Sequence, residues 1–524
     1  MELIVAESVA ERERTSARFW WGAAWLGIAT AIFFRVWRLG AESLWFDEGY
    51  TAWMVSHSPR EIIRLIRADT APPLYYLLLH GWTEIFSRSE AALRSLSTVF
   101  SILTLLAAME ISRRMLRKPA AIAAAIWLMA LSFMQTWFAR EARAYALMGL
   151  LGVLAFDCLQ RHLAARHRRW LIAMTCLIAA AMYTHNMMAP YAMALLIVWP
   201  ILPSQHPLRR RVVEMLIVTL CAVALYLPWA VFGLPAQMDM IHHAFWVDPL
   251  KRGDFLMAIA ALAGVQHFWS WAALLDRIHL PIGEGTRPIF ITGCLIFASA
   301  FLSIFRQSGP RRREAIALLT FALFPPLFVG LYSVVRTPLF TPKLFMPTAT
   351  LLPIFALIPL GMPLSRGVLR AAWAGALLLM ALSALTIYSY HLEIKKENWC
   401  AIAKQVEQLP PQKRLIIFVA NDGQLPFDYY YHYLPGDEAT GVPSGFFDRN
   451  PPRTMLRVLN DGDLDSLKTR LARGNYDQIV LVIAHQFWGD PSHRTHALVL
   501  ENWNQQGQLR LDDVAVEWYR RDGD

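Results

Sequence analysis

The chain has 524 residues, enough for several soluble domains, but 56% of them are hydrophobic, with 20 Trp and 28 Phe, and this excludes an ordinary soluble globular protein. Only 17% of the residues are charged, and the net charge of +10 arises from Arg clusters between long apolar runs. Because Arg-rich short loops orient a membrane protein, this charge indicates topology and excludes nucleic acid as a partner. The five Cys show no metal-type spacing, so neither a zinc ribbon nor a disulfide framework is expected.

The N-terminus is polar as far as residue 18, and the first apolar run covers residues 19–36. Arg12, Arg14 and Arg18 lie just before this run and predict a cytoplasmic N-terminus, residues 1–18. No short cleavable apolar region comes first, so we expect a retained anchor that delivers Trp37 to the external face.

A large first external loop is predicted at residues 40–90. Within it, Leu74 to Phe86 is apolar but too short to span a bilayer, which needs about 20 residues. The next run, 92–111, ends in an Arg cluster that should be cytoplasmic. Because the first span ends outside, the run 92–111 can end inside only if the short segment does not cross the membrane and lies on the outer interface. The loop should therefore carry amphipathic helices.

The remaining apolar runs alternate with cytoplasmic Arg clusters and give about eleven transmembrane helices in a bundle, 19–390. A weak apolar stretch from Phe255 to Leu275, interrupted by His267, is interpreted as interfacial or re-entrant. An odd count places the C-terminus outside. The predicted spans lie at 19–36, 92–111, 120–137, 146–159, 170–184, 187–203, 212–232, 288–306, 314–333, 344–361 and 368–389.

From residue 391 to 524 the composition becomes that of a soluble α/β domain. Short β-type runs at 415–419, 478–483 and 514–518 alternate with helical patterns at 399–409 and 464–473, which predicts a small layered sheet. No Gly-rich phosphate fingerprint occurs in it. The fold class is thus a polytopic α-helical membrane protein with a C-terminal soluble α/β domain.

Two adjacent carboxylates, Asp47 and Glu48, follow the first span, flanked by Trp45, Phe46 and Tyr50. They could be solvated loop charges. The aromatic flanks instead favour a position at the membrane interface, where a carboxylate can act as a general base.

Arg140, Glu141 and Arg143 form a second group, which the topology puts on the same face as Asp47. Charged residues at a helix start often serve only as interface anchors. The functional interpretation is a supporting carboxylate with cations that neutralise a phosphate.

Arg336 and Lys343 form a third external group, in a Pro-containing loop between two spans. The positive-inside bias works against cations on this face, so an anionic ligand explains them better than topology does, with lipid headgroups as the alternative.

The one candidate cofactor is a divalent metal. Glu48 and His185 are its candidate ligands, and His242, His243 and His267 lie in external segments as well. Scattered His at interfaces more often make simple hydrogen bonds, and this alternative stays open.

The three groups together suggest a reaction in which a carboxylate takes a proton from an acceptor hydroxyl while cations stabilise the phosphate that leaves an anomeric carbon. One carboxylate base with a lipid phosphate as leaving group would invert the anomeric centre.

In these motifs the sequence resembles the GT-C superfamily of membrane glycosyltransferases, in particular the family 39-like group related to protein O-mannosyltransferases and bacterial lipid A aminoarabinose transferases. The resemblance covers most of the bundle. It is carried by Ser43-Leu44-Trp45-Phe46-Asp47-Glu48, Ala71-Pro72-Pro73-Leu74-Tyr75-Tyr76, Ser89-Glu90-Ala91-Ala92-Leu93-Arg94-Ser95-Leu96-Ser97, Ala139-Arg140-Glu141-Ala142-Arg143-Ala144-Tyr145 and Tyr183-Thr184-His185.

The resemblance implies that Asp47 is the base and Glu141 the second acidic residue. Lys343-Leu344 stands where related proteins often carry Arg-Tyr, so the cation is kept and the bidentate guanidinium contact is lost. It also implies a GT-C fold and a polyprenyl-phosphate-linked sugar donor, with a lipid, glycan or protein acceptor. The compact tail and the lack of luminal insertions favour a bacterial inner membrane with the α/β domain in the periplasm.

Two rival functions remain open from the sequence. A lipid-linked sugar flippase or other transporter would place ionisable groups near the midplane and show repeated halves, and neither feature is evident. A membrane-anchored binding protein would work through its soluble tail, which carries no recognisable motif.

Overall fold

The computed structural model describes residues 2–165, 167–244, 295–363, 365–393, 396–443, 445–448, 458–511 and 513–521, with single positions at 247, 250, 258 and 262. The chain divides into two compact units. The helical unit consists of Met1–Trp37, Arg94–Val231 and Val247–Ile394, and the sheet unit of Arg38–Leu93, Phe232–Trp246 and Lys395–Asp524. The first external loop thus groups with the C-terminal α/β residues, whereas the predicted domain ranges assigned it to the bundle.

The helices of the described residues agree closely with the apolar runs of the sequence. They are α1 (Glu2–Val36), α2 (Phe46–Val55), α3 (Pro59–Leu65), α4 (Leu74–Phe86), α5 (Glu90–Leu116), α6 (Pro119–Ala130), α7 (Phe133–Ala139), α8 (Tyr145–Ala165), α9 (Arg168–Thr184), α10 (Ala189–Ile201), α11 (Leu208–Phe232), α12 (Leu234–Ala244), α13 (Leu295–Arg306), α14 (Gly309–Val335), α15 (Met346–Ala356), α16 (Arg366–Glu393), α17 (Trp399–Glu407), α18 (Gln424–Tyr430), α19 (Asp461–Arg473), α20 (Gln486–Gly489) and α21 (Arg494–Leu500).

The chain is a multi-pass membrane protein. Within the described ranges, six helices are long and apolar enough to cross a membrane, or seven if the bent pair α6 and α7 forms one span. Shorter apolar helices cover Asn186–Ile201 and Leu295–Arg306. Within the described residues, a helix overlaps each predicted span, while the count of eleven crossings stays a prediction. The stretch from Phe255 to Leu275 lies outside the described residues apart from two isolated positions.

Two glycines bring α8 against α15 in the helical unit. A Cβ atom at Gly152 would lie 2.5 Å from Cγ of Pro347, and one at Gly149 would lie 3.3 Å from Cβ of Met346. Small residues allow membrane helices to approach closely. This contact places the short helix Pro342–Phe345, which precedes α15, near the start of α8.

The C-terminal residues form a five-stranded sheet with the order β2-β1-β3-β5-β4, where β1 is Arg414–Val419, β2 is Asp437–Val442, β3 is Gln478–Ala484, β4 is Trp503–Leu511 and β5 is Val514–Arg521. Strands β1, β2 and β3 are parallel, and β5 runs antiparallel to both β3 and β4. Every residue of β1 and β3 is buried, as expected for central strands covered on both faces. The predicted strands β1, β3 and β5 and the predicted helices α17 and α19 are confirmed.

Helices α2, α3 and α4 belong to the sheet unit and confirm that the first loop is helical. Gly49 of α2 packs directly on Pro426 of α18, because a Cβ atom at Gly49 would lie 2.7 Å from the Pro426 Cα. Tyr430 of α18 accepts a hydrogen bond from the Leu44 amide (2.8 Å) and donates one to Glu90 Oε1 (3.0 Å). These contacts join the first loop to the α/β residues.

Candidate active site

Asp47 and Glu48 lie in the first turn of α2, where carboxylates are stabilised by the helix dipole. Neighbouring residues of a helix point about 100° apart, so the two side chains have different surroundings. Glu48 is fully buried, and its Oε2 lies 3.4 Å from Nζ of Lys396. Asp47 is partly exposed, which leaves it accessible to a reactant.

A carboxylate from elsewhere in the sheet unit caps this helix. The first amides of a helix have no intrahelical partner, and Trp45 provides no side-chain cap. Instead, Glu397 Oε2 accepts a hydrogen bond from the Phe46 amide (3.1 Å) and a second from Trp399 Nε1 (2.7 Å). Glu397 thereby fixes the backbone of the residue directly before Asp47.

His485 holds Glu397 in turn. It donates through Nε2 to Glu397 Oε1 (2.9 Å) and through Nδ1 to Asp422 Oδ2 (2.7 Å). Burial alone would lower the pKa of His485, but the hydrogen bonds and charges of Asp422 and Glu397 raise the pKa to about 10. His485 is therefore an imidazolium at neutral pH, and the network Asp422–His485–Glu397 ends on the first turn of α2.

In the helical unit, the predicted Arg140 and Glu141 are almost fully buried. The Arg140 guanidinium donates to the Trp37 carbonyl (2.6 Å) and to the Tyr390 hydroxyl (3.1 Å), so it joins α1 and α16 at the end of α7. Glu141 accepts a hydrogen bond from Trp137 Nε1. These contacts support a structural role for Arg140.

Arg143, His185 and Lys343 come together in the helical unit. Lys343 Nζ lies 5.4 Å from the centre of the Tyr145 ring. His185 lies in the turn between α9 and α10, where burial and then the positive charges of Arg143 and Lys343 lower its pKa to about 3. The ring is neutral, and its Nδ1 accepts from the Met187 amide (3.1 Å), which leaves the proton on Nε2.

Hydrogen bonds from α5 hold the loop that carries Arg143. Ser97 Oγ donates to the Arg143 carbonyl (3.2 Å), and Thr98 Oγ1 donates to the Ala139 carbonyl (2.8 Å). With the close contact of α8 and α15, they bring two cations from distant parts of the sequence to one neutral histidine. Such an arrangement can bind an anion.

Two other predicted groups stand apart. Arg336 ends α14 and is exposed, and nothing in the described residues joins it to the Arg143 group. The metal prediction for Glu48 and His185 stays a prediction, and among the described residues the set with metal-type geometry is a different one, His162, His206 and Glu214. The side chains of His242 and His243, and all of His267, lie outside the described residues.

The sequence predictions missed Lys396, Glu397, Asp422 and His485. Asp422 follows β1 and His485 follows β3. Because the carboxyl ends of neighbouring parallel strands meet at one sheet edge, the positions of Asp422 and His485 after two predicted strands could have predicted that they lie close together. Lys396 and Glu397 carried no signal, since a charged pair after a last span reads as an interface anchor.

Comparisons with known proteins give a match to one family model over part of the chain and to solved structures over most of it. Residues 70–232 match the family model described as dolichyl-phosphate-mannose-protein mannosyltransferase. ArnT from Cupriavidus metallidurans in the apo state is 15% identical with a TM-score of 0.61, covering 95% of this chain and 98% of ArnT. The same protein bound to undecaprenyl phosphate gives 15% identity and a TM-score of 0.59, with the same coverage. No curated protein matches the sequence.

The likeness to ArnT shows the fold, and it extends over nearly the full length of both chains. Together with the family model, it confirms the resemblance to GT-C membrane glycosyltransferases that the motifs indicated.

Proposed function

We propose that this multi-pass membrane protein, which has the GT-C fold, transfers a sugar from a polyprenyl-phosphate donor to an acceptor hydroxyl. The resemblance in sequence, the family model over residues 70–232 and the bound undecaprenyl phosphate of ArnT support this donor class. The acceptor is a lipid, a glycan or a protein. The reaction takes place on the periplasmic face of a bacterial inner membrane, the face on which the topology prediction places Asp47.

Asp47 is the general base. Its carboxylate removes the proton of the acceptor hydroxyl as the acceptor oxygen bonds to the anomeric carbon from the side opposite the phosphate. The bond between that carbon and the phosphate oxygen breaks, and its electron pair leaves with the polyprenyl phosphate. Displacement in one step inverts the anomeric configuration.

Arg143 and Lys343 stabilise the phosphate that leaves. Negative charge grows on the phosphate oxygens as the bond breaks, and fixed cations in a partly buried site lower the energy of that charge. The neutral His185 adds a hydrogen-bond donor through Nε2. The proximity of Arg143 and Lys343 to His185 is the observation that carries this proposal, because it brings two cations from distant parts of the sequence beside one neutral ring.

Glu141 supports the Arg143 loop through its bond to Trp137, and Arg336 stays a candidate for the outer part of the phosphate or lipid headgroup. Arg140 acts by holding α7 against α1 and α16.

The first experiment tests Asp47→Asn for transfer from a panel of radiolabelled polyprenyl-phosphate sugars to an envelope extract. Asn keeps the size of the side chain and removes the base, so we expect a rate loss of about 10²–10⁴-fold with unchanged yield and thermal stability. Glu84→Gln, an exposed carboxylate change on α4, is the matched control and should keep full transfer.

Full transfer by a folded Asp47→Asn protein would remove Asp47 as base. Movement of labelled lipid across vesicles by the wild type, without any product, would favour the transporter instead.

A further inference from the structure

Three side chains with metal-binding groups meet in the helical unit, at the end of α8 opposite to the end beside Arg143. His162 lies in the last turns of α8, His206 in the segment before α11, and Glu214 in the second turn of α11. All three are buried, and one ligand atom from each lies within 4.8 Å of the others. Nothing in the proposed sugar transfer uses them.

Their mutual geometry suits a common ion. His162 Nε2 lies 3.0 Å from Glu214 Oε2, and the rings of His162 and His206 are nearly parallel, 5.6 Å apart at 11°. Zinc–nitrogen bonds of about 2.0–2.1 Å in a tetrahedron put neighbouring ligand atoms roughly 3–3.5 Å apart. The pair His162 and Glu214 already has this separation, and a ligand atom of His206 lies within 4.8 Å of both.

The hydrogen bonds around His162 and Glu214 also resemble those around metal ligands. A ligating carboxylate is itself usually hydrogen-bonded through its second oxygen, and a ligating His through its other nitrogen. Arg210 Nε donates to Glu214 Oε1 (2.9 Å), and His162 Nδ1 lies 3.5 Å from the His167 carbonyl. Both contacts leave His162 Nε2 and Glu214 Oε2 directed toward each other.

We propose that His162, His206 and Glu214 bind a zinc ion. Two imidazoles and one carboxylate fit zinc, whereas magnesium and calcium take oxygen ligands alone. The ion would connect α8, the segment before α11 and α11 itself, on the face where the Arg clusters predict the cytoplasm. It would stabilise the packing of these elements and is independent of the proposed sugar transfer.

The test measures metal content and thermal stability of the full chain, purified without a histidine tag. We expect about one zinc ion per wild-type chain by mass spectrometry, and a melting temperature that falls after chelation and returns with added zinc. In Glu214→Gln, which keeps the side-chain size, the zinc content and the response to added zinc should be lost. Cobalt bound to the apo wild type should give the visible absorption of a tetrahedral site, absent in Glu214→Gln.

A pair of adjacent arginines provides a matched comparison. Arg210→Ala removes the contact to Glu214 and should weaken zinc binding about 10–100-fold. Arg209→Ala removes the neighbouring exposed charge and should leave the affinity unchanged.

Two results would overturn the proposal. The first is wild-type protein that contains no zinc and shows no change in melting temperature when zinc is added, which would leave a hydrogen-bonded His–Glu pair only. The second is zinc retained by folded Glu214→Gln and lost by His185→Ala, which would assign the ion to the candidate active site.

Discussion

Glu48 and Lys396 form an ion pair within the sheet unit, with side-chain exposures of 0% and 4%. Removing one partner of a buried ion pair typically costs about 3–5 kcal/mol. The two residues are 348 positions apart, so their pairing fixes α2 against the chain that follows the last helix of the bundle. Glu48 therefore orients the helix from which Asp47 projects.

His485 makes the stability of the sheet unit depend on pH. Its pKa is about 10 in the folded protein, against about 6.5 in an unfolded chain. Because the folded pKa is the higher one, the stabilisation is fully present below about pH 6.5 and is lost as the pH rises through about 10. The free energy of unfolding, measured by denaturation at a series of pH values, should fall across this range.

The variant His485→Gln tests the origin of this effect. It should lower the free energy of unfolding by about 3 kcal/mol at pH 7 and flatten the decline between pH 6.5 and 10. His432→Gln, at an exposed histidine of the same unit, should change stability by less than about 0.5 kcal/mol. An unchanged pH profile in His485→Gln would assign the dependence to other groups.

Lys343 contributes a positive charge to the proposed phosphate site, and two substitutions test whether that charge is what matters. Lys343→Gln removes the charge and should lower kcat/KM for the polyprenyl-phosphate donor by about 10²–10³-fold, comparable to loss of one transition-state donor. Lys343→Arg keeps the charge and should recover a large part of the lost kcat/KM.

Steady-state transfer rates at varied donor concentration check this prediction. Lys468→Gln, on α19 of the sheet unit, is the control and should behave as wild type. Equal rates for Lys343→Gln and wild type would remove Lys343 from the phosphate site.

At the scale of elements, Gly49 and Gly81 are both helical glycines of the first loop with opposite surroundings. A Cβ atom at Gly49 would lie 2.7 Å from backbone atoms of Pro426, whereas nothing lies within 4 Å of one at Gly81. Gly49→Ala should therefore destabilise the protein by about 1–3 kcal/mol and reduce transfer, since α2 must shift.

Gly81→Ala should instead stabilise α4 by about 0.5–1 kcal/mol, the difference in helix propensity. Melting temperatures of both variants and of the wild type test these two expected changes in stability. A Gly49→Ala protein as stable as Gly81→Ala would show that α2 does not need its close contact with α18.

The elements that could be predicted from sequence are those with a strong apolar pattern. Leu74 to Phe86 was marked by its composition and forms α4 with the same bounds. Strands β2 and β4 were missed because they lie at the two sheet edges and carry the polar sequences DEATGV and WNQQGQLRL. Half-exposed edge strands lack the hydrophobic run that marked β1 and β3.

For the whole molecule, the sequence did not predict which distant segments pack into one compact unit. Residues 38–93 and 395–524 share one compact unit through bonds such as Leu44 to Tyr430 and Phe46 to Glu397. A single Tyr or Glu in a sequence does not indicate which distant residue its side chain will bond to. Arg143 and Lys343 could be proposed from the sequence because cations on the predicted external face form an unusual pattern, whereas the Glu397–His485 network shows no pattern in a single sequence.

The predicted orientation of the whole chain can be tested with single cysteines. Ser492 of the sheet unit and Arg209, before α11, are both exposed, and the positive-inside rule puts them on opposite faces. After replacement of the five native Cys, Ser492→Cys should react with a membrane-impermeant maleimide once the outer membrane is opened, and Arg209→Cys only after the inner membrane is made permeable. Both variants must retain sugar transfer, so that the labelled protein is the native one. Labelling of Arg209→Cys from outside, with Ser492→Cys protected, would invert the topology and place Asp47 in the cytoplasm, where a general base for a periplasmic reaction could not act.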